Sequence, residues 1–263
     1  MDSYYPENGT SLPPVVGSMS GELPFDGLTA VVVSADAAVA ASLALDLGVA
    51  GAKVVLHHSR EETGDRLQMI VDRIEYVDGE AVLVRCDLAG PDAMSTPFDR
   101  AAGRFGGIDI ALLCLRPVAV SVCDTTACDC PDLEADELAM VESYLAEALL
   151  RVGDDGTIAV VVPLIGSHSD GVEPGNNETV VRLLSIIRSA AAFAPDRGVN
   201  ANLIVVLPDN GGDDVSANAP SGDCGSKASI RQHSSASLLA TMATVARPCT
   251  GQVLLTRIPS SLM

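Results

Sequence analysis

Residues 29–47 read TAVVVSADAAVAASLALDL, and this stretch decides the fold. Its first five residues, Thr29 to Val33, are rich in β-branched side chains, which is typical of a buried strand. Ala35 to Leu47 then carries apolar residues at intervals of four, which indicates a helix. A second apolar strand follows at Lys53 to Leu56. This order predicts a βαβ unit, and therefore an α/β fold built on a parallel sheet.

No glycine occupies the turn between the first strand and the helix. In a unit that binds a dinucleotide, three glycines there let the backbone turn sharply and bring helix N–H groups to the pyrophosphate. Any side chain at such a position places a Cβ where the backbone must touch the ligand. The sequence therefore predicts the scaffold of a dinucleotide-binding unit without its phosphate turn.

Short phrases farther along the chain carry a resemblance to a known family. They are GAKVV at 51–55, GEAV at 79–82, RCDL at 85–88, RFGGIDI at 104–110, GTI at 156–158, APDRGV at 194–199 and TGQVL at 250–254. With these phrases in this order, the chain beyond residue 25 resembles the short-chain dehydrogenase/reductase family, and the ketoacyl reductases most. The resemblance implies a Rossmann-like, doubly wound parallel sheet of about seven strands with helices on both faces.

The functional positions of that family are altered here. The resemblance places its three glycines at Ser34, Ala38 and Ala40, its catalytic Ser, Tyr and Lys at Pro163, Asn176 and Val180, and a further glycine at Arg116. No Tyr follows Tyr144, and Lys227 is the only Lys beyond it. Arg60 would suit the 2′-phosphate of NADP, and Asp87 matches a residue that contacts adenine. From these losses we predict that the chain binds no NAD(P)H, uses no cofactor and has lost the reductase reaction.

Two functions from different classes fit that prediction. The first is a pseudoenzyme that serves as a scaffold for a partner or as a ligand-binding subunit. The alternative is a cofactor-independent isomerase, cyclase, dehydratase or lyase that uses the old substrate cleft. Its candidate catalytic group is Ser167, His168 and Asp170, although a solvated loop is the simpler interpretation of these residues. Arg116 is a candidate anion anchor, or else a filler paired with a carboxylate.

Composition limits the partners. Of 263 residues, 35 are acidic and 16 basic, and the formal net charge of −19 argues against nucleic acid and anionic membranes. No apolar run has the length of a membrane span. Seven cysteines without an evident signal peptide predict reduced thiols and a cytoplasmic location. The cysteines at 123–130 lack a familiar zinc spacing, and the His57–His58 pair has no third ligand at such a spacing, so we predict no metal site and expect both histidines in an exposed loop after Leu56.

The chain length suits one domain. We expect residues 25–263 to form it, preceded by a flexible tail over residues 1–24 that is rich in Ser, Pro and Gly. Two long helices, predicted over Glu137–Val152 and Asn177–Phe193, carry more apolar positions than one sheet face covers. In the family that this chain resembles, such helices form dimer interfaces. We therefore predict a homodimer or homotetramer, or a heteromer with an active relative, and a small-molecule ligand in the old cleft.

Overall fold

A computed structural model gives the structure of the chain. It describes residues 23–35, 37–59, 61–88, 93–119, 133–165, 178–192, 195–209, 230–233 and 253–259. The strands are β1 (Thr29–Ser34), β2 (Lys53–His58), β3 (Ala81–Arg85), β4 (Ile110–Cys114), β5 (Val118–Ala119), β6 (Thr157–Ile165), β7 (Asn200–Asp209), β8 (Ile230–His233) and β9 (Val253–Pro259). The helices are α1 (Ala37–Val49), α2 (Glu61–Tyr76), α3 (Ser95–Phe105), α4 (Ala135–Arg151) and α5 (Glu178–Ala191), with a 3₁₀ turn at Pro195–Arg197.

The strands form a parallel sheet in the order β3-β2-β1-β4-β6-β7-β9-β8, and the short β5 pairs beside β6. The chain runs outward from β1 to β3, then crosses back so that β4 pairs with the other side of β1. The predicted doubly wound, Rossmann-like α/β fold is therefore confirmed. Among the described residues, no helix is both long enough and apolar enough to cross a membrane.

Side-chain alternation along β1 builds two separate cores. Val31 and Val33 lie in one core with residues of α3, α4 and α5. Val32 lies in the other core, which α1 and α2 cover. The central strands β1 and β4 are buried throughout, as expected for a parallel sheet with helices on both faces.

Several predicted boundaries shift in the structure. The helix predicted from Glu137 begins at Ala135, because Glu134 and Glu137 form a reciprocal capping box at its start. The helix predicted over Asn177–Phe193 is α5 in the structure, Glu178–Ala191. Most of the predicted tail, residues 1–22, lies outside the described residues, as does the cysteine-rich segment at 123–130. The division into a tail and one domain stays a prediction.

The side chain of Arg197 caps the carboxyl end of α4. Its guanidinium donates to the carbonyl oxygens of Leu149 and Val152, and its Nε donates to Asp154 Oδ1 at 3.0 Å. The last carbonyl groups of a helix have no partner within the helix, so a cation there satisfies them and suits the helix dipole. This contact fixes the end of α4 beside the turn that leads into β7.

Burial predicts where the fold is most sensitive to truncation. Leu112, in the middle of β4, is 0% exposed, whereas Met69 on α2 is 62% exposed. Leu112→Ala should lower the free energy of unfolding by about 3 kcal/mol through lost burial and a cavity. Met69→Ala removes the same number of non-hydrogen atoms and should change it by less than about 0.5 kcal/mol. Urea unfolding measures both, and equal losses would contradict this packing.

Candidate functional site

The strand order reverses between β1 and β4, and in an open α/β sheet such a reversal forms a crevice outside the carboxyl ends of the two strands. Ser34 and Cys114 are paired there, and the Ala35 N–H donates to the Cys114 carbonyl oxygen at 2.9 Å. The N-terminus of α1 at Ala37 follows directly, and the first turn of α1 holds no acidic residue. In open α/β sheets, ligands bind outside the carboxyl ends of the strands at this point, and a helix N-terminus favours an anion.

Small side chains occupy the three positions where glycines were expected. Ser34 and Ala40 are buried, and Ala38 is at the start of α1. Alanine adds one non-hydrogen atom to glycine, and serine adds two. The three residues therefore add little side-chain volume at this turn compared with glycine.

His57 is buried beneath this crevice and connects three strands. Its Nδ1 accepts the Ser34 N–H at 3.4 Å, and its Nε2 lies 2.9 Å from the Cys86 carbonyl oxygen just after β3. Nδ1 must therefore be the acceptor and Nε2–H the donor, which defines a neutral imidazole. The pKa of His57 is lowered from 6.5 to about 4, chiefly because burial removes water from the ring. The hydrogen bond to Cys86 raises this pKa in part, and the neighbouring His58 lowers it further.

Arg116 lies two residues past β4 at the same edge of the sheet. Its Nε donates to Glu137 Oε1 and its Nη2 to Glu137 Oε2, the latter at 2.9 Å. The bond to Glu137 raises the pKa of Arg116. Glu137 Oε2 also accepts the Glu134 N–H at 3.0 Å, so one carboxylate caps α4 and orients the guanidinium. The structure thus pairs Arg116 with carboxylates, as the simpler interpretation predicts.

The other predicted site residues are not brought together by the described part of the chain. Ser167, His168, Asp170 and Asn176 lie outside it, as does Arg60. Within it, Pro163 lies in β6, Val180 is buried in α5, and Asp87 is exposed just after β3. The described residues contain no group of three or more potential metal ligands.

Sequence reasoning misses two residues of this site. It predicts His57 to be an exposed loop residue, but His57 is the fifth residue of β2 and is 0% exposed. The unbroken apolar run before it is the signal that the strand continues through it. It predicts Glu137 only as part of a helix, because Glu134 is not one of the residues that usually signal a capping box.

Comparison with known proteins finds reductases and dehydrogenases that part of the chain resembles. No family model matches the sequence. The chain is 32% identical to versicolorin reductase of Emericella nidulans over 93 residues, and this matched region is 35% of the present chain and 34% of that protein. It is 31% identical to 7alpha-hydroxysteroid dehydrogenase of Escherichia coli over 91 residues, which are 35% of the present chain and 34% of that enzyme. The chain thus spans about a third of the length of these curated relatives.

Solved structures share the fold over nearly the whole chain. A putative dehydrogenase from Burkholderia cenocepacia with bound NADP superposes with a TM-score of 0.61 at 19% identity, over 90% of this chain and 94% of that one. Further relatives and structures carry the name short-chain dehydrogenase. The structures show the shared fold. Together with the relatives, they confirm the predicted resemblance to the short-chain dehydrogenase/reductase family.

The same comparisons correct the functional prediction. The relatives are named as reductases and dehydrogenases, and the superposed dehydrogenase carries NADP. The prediction of a pseudoenzyme without a cofactor, or of a cofactor-independent enzyme, is therefore wrong. That prediction treats the absence of three glycines as loss of cofactor binding, although Ser34, Ala38 and Ala40 each add only one or two non-hydrogen atoms at the turn.

The buried imidazole makes stability depend on pH. Because the pKa of His57 falls from its ordinary value of 6.5 to about 4 in the folded chain, its stabilising contribution is full above pH 6.5 and is lost as pH falls toward 4. The difference in unfolding free energy between wild type and His57→Gln should shrink by about 3 kcal/mol from pH 7 to pH 4. Urea unfolding at several pH values measures this.

Asp46 on α1 is a control, because its contribution to stability changes with pH in the opposite direction to that of His57. Desolvation raises its pKa from 3.8 to about 6, so its contribution is full below pH 3.8 and is lost as pH rises through 6. Asp46→Asn should therefore raise stability at pH 7, by about 2 kcal/mol, and have little effect near pH 4. A pH-independent gap between wild type and His57→Gln would contradict the neutral, buried state of His57.

Proposed function

We propose that this chain is an NADP(H)-binding oxidoreductase of the short-chain dehydrogenase/reductase type. The observation that carries the proposal is the crevice at the reversal of the sheet, where small residues and the N-terminus of α1 adjoin the ends of β1 and β4. The names of the relatives and the NADP in the superposed dehydrogenase support it. When bound, the nicotinamide supplies the hydride that the protein itself cannot.

The residues at this edge suit the parts of a dinucleotide. The turn at Ser34 and the start of α1 would hold the pyrophosphate. Asp87, exposed just after β3, would contact the adenine end. Arg60 would bind the 2′-phosphate, which favours NADP(H) over NAD(H). His57 positions this edge, because it bonds to the backbone at Ser34 and Cys86.

Proton transfer needs a donor other than the usual tyrosine. No Tyr follows Tyr144, and the hydroxyl of Tyr144 is buried and donates to the Ala159 carbonyl oxygen at 3.2 Å. Burial holds the pKa of Tyr144 well above its ordinary value, so this hydroxyl is unsuited to acid–base work. His168, three residues after β6 ends and flanked by Ser167 and Asp170, is our proposed donor to a carbonyl oxygen.

Cofactor titration tests the proposal. Calorimetry should show NADPH binding more tightly than NADH. Ala38→Glu places a carboxylate beside the proposed pyrophosphate site and should weaken NADPH binding by about tenfold or more through charge repulsion. Ala102→Glu makes the same change at an exposed position of α3 and should leave the affinity unchanged. Wild-type protein that binds neither nucleotide would refute the function.

We also propose that the protein assembles through the groove between α4 and α5. The groove has a volume of about 780 Å³, and apolar side chains line it. Those side chains are Leu145, Ala146, Leu149, Leu150, Ile186 and Ala190. Leu150 is 76% exposed, and Val181 on α5 is 51% exposed. A two-fold axis would let a second copy bury this apolar surface against itself, giving a homodimer or, through a further surface, a homotetramer.

Charge insertion into the groove tests the assembly. Leu150→Glu and Ile186→Glu should each reduce the mass measured by light scattering at micromolar concentration, because the interface would have to desolvate a carboxylate among mainly apolar side chains. Met69→Glu places the same charge on the exposed face of α2 and should leave the mass unchanged. A wild-type monomer, or an unchanged mass in both groove variants, would contradict this interface. The heteromeric alternative and the cytoplasmic location stay predictions.

A further inference from the structure

A half-exposed guanidinium lies at the edge of the proposed active crevice. Arg116 follows two residues whose backbone is held by hydrogen bonds. The Cys114 carbonyl oxygen accepts the Ala35 N–H just after β1, and the Leu115 N–H donates to the Val161 carbonyl oxygen of β6, each at 2.9 Å. These bonds hold the backbone just before Arg116 at the carboxyl edge of the sheet. The Arg116 side chain is 39% exposed. It is thus within reach of a ligand from solvent.

The two carboxylates on this guanidinium are held very differently. Glu137 is 14% exposed, takes the Nε and Nη2 donors together, and is also fixed by the Glu134 N–H. The Glu134 carboxylate is 73% exposed and lies 3.5 Å from Nη2, beyond the range of a strong hydrogen bond. Glu137 therefore orients the guanidinium, whereas the Glu134 carboxylate, which also caps the Glu137 N–H, is the weaker partner of Arg116 and can leave the guanidinium while it keeps that cap.

We propose that Arg116 binds an anionic group of the substrate, a carboxylate or a phosphate ester, which displaces the Glu134 carboxylate while Glu137 keeps its bonds. The inference rests on the proposed oxidoreductase function and assigns its substrate class, a carbonyl compound or alcohol that bears an anion. The net charge of −19, and Asp136 and Glu137 in the first turn of α4, repel an anion in general. An anionic group can therefore bind here only through direct contact with the guanidinium.

The test compares an acid with its neutral ester. The probes are 4-oxopentanoate and methyl 4-oxopentanoate, titrated into the full chain with and without saturating NADP⁺. The reporter is the ¹⁵N–¹H signal of the Arg116 side-chain Nε, which Arg116→Gln identifies by its loss. We expect the acid to shift this signal and to bind about tenfold or more tightly than the ester. Arg116→Gln should abolish the preference for the acid.

Arg151 provides the matched control. Its side chain is 32% exposed, its Nε donates to Glu147 at 2.8 Å, and it also pairs with Asp99, but it lies at the opposite end of α4. Arg151→Gln should leave the preference for the acid intact, and the Arg151 signal should not move. Both variants remove one positive charge and an Nε bonded to a glutamate of α4, so they separate binding at the crevice from a general loss of positive charge.

Each other outcome overturns the assignment. Equal binding of acid and ester, a preference that survives Arg116→Gln, or an Arg116 signal that stays still to the solubility limit of the acid excludes an anion site. If NADP⁺ alone shifts the signal and the acid then has no effect, the anion is a cofactor phosphate rather than part of the substrate. Wild-type protein that responds to the acid but binds no NADP⁺ would contradict the proposed function while keeping the anion site.

Discussion

The neutral imidazole of His57 is the contact on which the candidate site depends. Parallel strands end with backbone groups that no longer have partners in the sheet, and buried groups of this kind must be satisfied. His57 satisfies two of them, because it accepts the Ser34 N–H and donates to the Cys86 carbonyl oxygen. One ring on β2 therefore links the end of β1 to the residue after β3. Because the ring is buried and stays neutral, it performs this role without a buried charge.

The other side of the crevice depends on β4 and the start of α4. The Ala35 N–H bonds to Cys114, so the turn after β1 is attached to the end of β4. Two residues later, Arg116 joins β4 to the first turn of α4 through Glu137. The crevice is thus bounded by a hydrogen-bonded histidine on one side and an ion pair on the other. Both are contacts between residues more than 20 positions apart in the sequence.

The fold was predictable from local pattern, whereas the site was not. The β-branched run before Ser34 and the apolar spacing in Ala35–Leu47 indicate a strand and a helix wherever they occur. By contrast, the role of His57 depends on Ser34 and Cys86, which are 23 and 29 residues away, and no local pattern predicts those contacts. Arg116 and Glu137 are likewise 21 residues apart. Their identities suggest an ion pair, but not which acid forms it.

The error about the cofactor has the same origin. Residue identity at Ser34, Ala38 and Ala40 suggests the loss of a site, whereas a site depends on the volume and backbone geometry that remain. Chemical-shift mapping of backbone amides during titration with NADP⁺ tests the central claim most directly. We predict shifts at Ser34, Ala38 and Leu115, beside the ends of β1 and β4, and none at Met69 on the exposed face of α2. Unchanged amides at the crevice, or shifts confined to the groove between α4 and α5, would contradict the account.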